Sequence, residues 1–206
     1  MTAKPAYHHG DLRRALMTAA RQLLTERGAS EVTLRGAAAR AGVSSAAPYR
    51  HFPDKDALLV AVAMDGYAEL QRQVRAAPRG TGTLPAVQDL VRAYAAFAVA
   101  NPQLYRLMMG TGITARAQYA ELTEAHDRTC AILVDAVALA QEAGEVEPGD
   151  PVTVAVTLWC LVHGLSTLAI DGRIDAGAVD AEIGRSLEIL EHGLRPRPSR
   201  AERGRP

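Results

Sequence analysis

The chain has 206 residues, 48% hydrophobic but only 4% aromatic, with 23 basic and 23 acidic side chains that cancel. That length suffices for one large or two small domains with a buried core, and the apolar runs read as too interrupted for the roughly 18 apolar residues of a membrane span. Two distant cysteines, Cys130 and Cys160, make no disulfide framework, and the first residues lack a secretory apolar region, so the expectation is a soluble chain in a reducing, cytoplasmic setting.

Alternating β patterns are scarce and apolar residues recur at spacings of three and four, which predicts an all-α protein of about nine helices. In the first helix Leu12, Leu16, Ala19 and Leu23 share a stripe, with Arg13, Arg14, Arg21 and Arg27 off it, and Gly28 stops it. Thr33 is the expected N-cap of a second helix, whose Ala37, Ala38 and Ala41 admit a close neighbour before Gly42. A short helix over residues 45–52, capped by Ser44 or Ser45, tolerates Pro48 in its first turn. Asp54 then caps a long helix over 55–77. The stretch Arg79-Gly80-Thr81-Gly82 is the expected linker, followed by helices near 85–100, 103–109, 115–143, 151–171 and 178–194, with Asp150 and Pro151 opening the penultimate one and Gly172 closing it.

Charge is uneven along this order. Residues 1–60 hold nine Lys/Arg against five Asp/Glu, residues 61–194 nine against seventeen, and residues 195–206 five against one. A basic head, an acidic body and a basic tail point to separate tasks. The predicted organisation is a head at 1–54, a body at 55–194 joined through the helix 55–77, and a disordered tail at 195–206.

Two helices joined by a glycine-containing turn, the second short, make a helix-turn-helix, which enters the major groove by the start of its second helix. That gives a reason for Tyr49, Arg50, His51 and Phe52 standing together: Val43 and Phe52 face inward, while the other three are available to DNA. The segment TLRGAAARAGVSSAAPYRHFPDKDALL, residues 33–59, resembles the helix-turn-helix of the TetR family of bacterial transcriptional regulators, and ALMTAARQLLTERGASEVT before it resembles that family's first helix.

The resemblance implies a homodimer, a three-helix DNA-binding head, and a helical body that binds a small-molecule effector and dimerises. Carried over by position, Thr33 touches a phosphate, Tyr49 and His51 hold the backbone, and Lys55 binds a phosphate. Ser44, Ser45, Ala46 and Ala47 stand where base edges approach. Alanines and Pro48 offer thymine methyl contacts but no hydrogen bonds, so base readout falls on Ser45, Arg35 or Arg50.

In the body, the run LWCLVHGLSTLAIDG has a W-x-x-x-H-G spacing at Trp159, His163 and Gly164 that resembles a C-terminal domain named for those residues in one branch of such regulators. Trp159 and His163 share a helix face and form either a pocket wall or core. Tyr94, Phe97, Tyr105, Met108, Met109 and Tyr119 are further candidates for an effector cavity, or ordinary core. Leu158, Leu161, Leu165 and Leu168 on one helix, with Ile183, Leu187 and Leu190 on the next, are the expected dimer face, a four-helix arrangement about a twofold axis.

Two other functions compete: a helical enzyme using Cys130 or Cys160 with His126 or His163, among which Cys160 and His163 stand three apart on one helix but an orienting acid and an oxyanion hole are lacking, and a protein-binding adaptor, which leaves the basic head unexplained. No cofactor is expected. His8, His9 and Asp11 crowd one terminus without a fourth ligand, so no metal is expected either.

Overall fold

A computed structural model describes residues 9–77, 83–110, 112–113 and 116–194. The expected linker at 79–82, His8 and the basic tail at 195–206 lie outside the described residues. Within them, regular structure is entirely helical: α1 His9–Arg27, α2 Leu34–Arg40, α3 Lys55–Arg75, α4 Thr83–Ala100, α5 Pro102–Met109, α6 Ala120–Glu142, α7 Pro151–Ile170 and α8 Val179–Leu194. Short 3-10 turns lie at Ala29–Glu31, Ala47–Arg50, Arg116–Gln118 and Ala176–Ala178.

The helix expected over 45–52 is one of these 3-10 turns, Ala47–Arg50. Pro48 removes a donor from a segment closed by Gly42 and Pro53, and so few residues cannot build an α-helical ladder. Ala46 takes its N-cap position without a side-chain bond, in place of the expected Ser44 or Ser45.

Packing divides the described residues into two compact units, one within 1–68 and 101–125, the other within 69–100 and 126–194. Their bounds differ from the head and body expected at 1–54 and 55–194, because the start of α3 and all of α5 fall in the unit of α1 and α2, with α5 packed on α1.

In the first unit α1 buries Leu16, Ala19, Ala20, Leu23 and Leu24, against which α2 presses Ala37 and Ala38. Thr33 Oγ1 accepts the Gly36 N–H at 2.9 Å, and Asp54 Oδ1 the Ala57 N–H at 2.8 Å, so both expected caps form. The Glu26 carboxylate takes both Arg40 Nη atoms, at 2.5 and 2.7 Å, and ties the end of α2 to α1. That bond holds the Glu26 carboxyl below its ordinary range. Where α3 meets α5, Tyr67 donates to the Met108 carbonyl at 2.8 Å.

In the second unit α7 lies on α4 and α8, with Arg92 of α4 paired to Asp180 of α8 at 2.6 Å. Asp150 caps α7 through the Val152 N–H at 3.1 Å. Contrary to expectation, α7 is long and apolar enough to cross a bilayer by length and composition. Thr, His and Gly interrupt its apolar run, but none carries a fixed charge. Its buried side faces the unit's interior through Ala155, Leu158, Val162, Ser166 and Ala169.

The α2 exit depends on Gly42, with φ of +70°. There the Gly42 N–H reaches the Ala39 carbonyl at 3.2 Å and the Val43 N–H the Ala38 carbonyl at 3.0 Å, closing a Schellman turn. A side chain here forces a left-handed strain of about 1–2 kcal/mol. Gly42→Ala should lower the free energy of urea unfolding by about that amount, and an unchanged unfolding curve would show that the turn relaxes.

Candidate nucleic-acid interface

The turn after Gly42 is anchored from below. Phe52 is 2% exposed and Pro48 is buried, while the Arg13 guanidinium of α1 lies 5.2 Å from the centre of the Phe52 ring. The His51 and Phe52 N–H groups both reach the Pro48 carbonyl at 2.9 Å. With these two side chains held inward, the outer side of the turn is left to solvent: Ser44, Ser45, Ala46 and Arg50 are exposed, Ala47 is half-buried, and Tyr49 is 54% exposed. Val43, expected inside, is only half-buried.

Thr33 and Arg35 are exposed at the start of α2. Lys55 does not pair with a neighbouring aspartate through the bond seen here; its Nζ donates to the Ser30 carbonyl at 2.7 Å. An ammonium has three donors, so this bond orients the group and leaves capacity for an anion. His51 differs from the others: it is half-buried and its Nε2 is shielded from water. Thus nine of the ten residues expected to meet DNA present themselves outward or at the rim, and His51 turns a ring nitrogen inward. Sequence reasoning missed Arg13 and Ser30, whose roles come from contacts with residues far along the chain.

The eight residues expected at an effector pocket divide between the units. Tyr105, Met108, Met109 and Tyr119 belong to the first, and Tyr94, Phe97, Trp159 and His163 to the second. Tyr94, Phe97, Tyr105 and Met108 are buried core. Trp159 and His163 are half-buried with ring centroids 5.1 Å apart, and His126 of α6 meets Trp159 edge-on at 5.6 Å. A cavity walled by Val87, Val137, Val154, Leu158 and Leu187 measures only about 10 Å³, one water at most.

The expected dimer face needs correction. Leu158, Ile183 and Leu187 are 4% exposed or less, because they pack inside their own unit, and Leu161, Leu165 and Leu190 are half-buried. Of the seven, Leu168 alone is exposed. On α7 and α8 the large apolar side chains exposed among the described residues are Val152, Val156, Leu168 and Ile189, the last at 74%, and Leu139 of α6 is exposed as well.

Of the cysteines and histidines suggested for an enzyme, the structure brings Cys130 and His126 into contact. Cys160 is exposed, while Cys130 Sγ lies 3.5 Å from His126 Nε2. Burial first, and then Asp127, push the Cys130 thiol up in pKa, opposite to an activated nucleophile.

Residues 16–62 match the family model for bacterial regulatory proteins of the tetR family, and residues 87–193 that for the tetracyclin repressor-like C-terminal domain. A comparison with curated proteins gives no match. Among solved structures, a protein of unknown function from Rhodococcus sp. RHA1 is 32% identical, covering 94% of this chain and 100% of that one with a TM-score of 0.79. A TetR-family transcriptional regulator from Pectobacterium atrosepticum is 23% identical over 94% and 100% of the two chains, TM-score 0.71. A fatty acid degradation regulator from Bacillus halodurans is 17% identical over 96% and 100%, TM-score 0.73. The last two likenesses concern the fold.

Burial first, and then the charge of His126, hold His163 below the usual histidine pKa of 6.5. The folded state therefore binds fewer protons at this site than the unfolded chain, and stability falls as pH drops below about 6.5. Urea unfolding measured from about pH 7.5 to 5 should show a shallower loss for His163→Gln than for the parent chain; equal slopes would remove His163 as a source of acid sensitivity.

Proposed function

This chain belongs to the TetR family of bacterial regulatory proteins, and from that premise we propose that it acts as a homodimeric repressor, released from its operator when a small molecule binds its helical body. The family makes it a DNA-binding transcriptional regulator and not an enzyme. The observation that carries the finer reading is the exposed outer side of the 44–50 segment, held on the buried Phe52 and Pro48.

Ser44, Ser45 and Ala46 approach base edges, with Arg35 and Arg50 supplying the longer hydrogen-bond donors. Thr33, Tyr49 and Lys55 hold phosphates; the Ser30 carbonyl steadies the Lys55 ammonium for that purpose. His51, with Nε2 shielded, supports the turn and contacts the backbone through its remaining edge. α3 runs without a break from Lys55 to Arg75, so a shift at its far end is carried to Lys55. Effector binding favours a conformer whose two heads no longer fit groove spacings of roughly 34–36 Å. Trp159 and His163, half-buried together, are the residues retained for the effector site.

A second copy of the chain covers the exposed side of α7 and α8. Val152, Val156, Leu168 and Ile189 supply apolar contacts there, and their loss to water on dimerisation stabilises at about 25 cal/mol per Å² buried.

Two measurements test this. On DNA from upstream of the chain's own gene, a Tyr49→Ala, Lys55→Ala double variant should bind more weakly, with the slope of log K against log salt shallower by about 1. An unchanged slope would place Lys55 away from phosphate. In sedimentation velocity, Val156→Glu with Leu168→Glu should convert a dimer to monomers; a persistent dimer would mean that another face is used.

A further inference from the structure

The first unit carries an open groove of about 470 Å³ whose lining, His51 apart, has no part in the proposed DNA contacts or dimer face. Met17, Val60 and Met64 form its apolar floor beside Phe52, and Tyr119, Asp65 and Glu121 stand at its rim. Its existing cation is Arg13, placed over the Phe52 ring at 5.2 Å and against Met17 Sδ at 3.1 Å.

Aromatic faces, thioethers and carboxylates together suit one chemistry. A cation with apolar substituents is attracted by ring quadrupoles and polarizable sulfur as well as by acids, whereas a bare metal ion gains little from a thioether floor. The rim is weighted towards negative charge. Besides burial, Asp54, Asp56 and Glu121 push the Tyr119 phenol up, so it stays protonated and available as a donor or ring face. Arg21 offsets part of this by pairing with Asp65 at 3.6 Å.

We propose that this groove is a ligand site within the DNA-reading unit itself, which takes a compact organic cation such as a quaternary ammonium that displaces the Arg13 guanidinium from Phe52 and lies between Asp65 and Glu121. The site is separate from the effector site at Trp159 and His163. Its coupling to DNA rests on the reading of the turn: Phe52 anchors the Ala47–Arg50 segment, so replacing its Arg13 cover shifts that segment and lowers operator affinity.

The test uses the full chain with methyl-labelled methionine and benzyltrimethylammonium as the probe, Met17 and Met64 being assigned through Met17→Leu and Met64→Leu. Both methyl signals should shift saturably, and neither should respond to neutral benzyl alcohol or anionic phenylacetate. Glu121→Gln, an exposed change, should weaken binding by about two- to fivefold, the scale of an exposed ion pair. Arg13→Gln should tighten it by about two- to fivefold, because the ring no longer has its own cation. Absent shifts, equal shifts with benzyl alcohol, or shifts confined to methionine methyls other than Met17 and Met64 overturn the site. DNA affinity is measured beside these: saturable shifts with unchanged operator affinity overturn the coupling. Failure of the cation-free protein to bind DNA overturns the reading of the head, and the methyl shifts then decide the groove alone.

Discussion

The burial of Phe52 is the constraint on which the head depends. A four-residue 3-10 turn has no stability of its own, since nucleating a helix fixes several dihedrals for a single hydrogen bond. Here the turn is held from outside: Phe52 and Pro48 sit inside the unit, Arg13 covers the Phe52 ring, and the Schellman exit at Gly42 sets the direction in which the chain leaves α2. Once those are fixed, Ser44 to Ala46, Tyr49 and Arg50 have no place but the outer surface. A DNA-reading element is thus produced by anchoring its back, and its front is left polar and uncommitted.

Around that anchor, polar contacts set position more than stability. The Glu26 and Arg40 pair joins α2 to α1, and Lys55 holds the Ser30 carbonyl, which draws the start of α3 toward the 3-10 turn that precedes α2. Exposed contacts of this kind add little to stability beside the buried leucines of α1, but they fix where Thr33, Arg35 and Lys55 stand. The same division holds in the second unit, where Arg92 and Asp180 register α4 against α8 over an apolar interior.

Local chemistry was readable from the sequence, and contacts between distant segments were not. Thr33, Asp54 and Asp150 cap helices as residue type and position predict, and Gly42 and Gly172 take the positive φ that ends α2 and α7. The expected 45–52 helix failed because a count of helix formers overlooks how few N–H donors remain beside Pro48. The packed units differ from the expected domains because α5 returns to α1, a choice that no periodicity encodes. On α7, apolar residues surround the helix, so spacing could not tell Leu158, which faces inward, from Val156, which faces out. The aromatic and methionine candidates were ambiguous for a like reason: Tyr94, Phe97, Tyr105 and Met108 have the composition of a pocket wall and the burial of a core.

In the proposed dimer, two copies of the outward 44–50 segment read DNA about a twofold axis. Hydroxyl-radical footprinting of the full chain on DNA upstream of its own gene addresses this most directly. Two protected patches are expected, with centres about 10–10.5 base pairs apart, or a multiple of that, on an inverted repeat. A single patch without sequence symmetry, or uniform protection along the fragment, would contradict it.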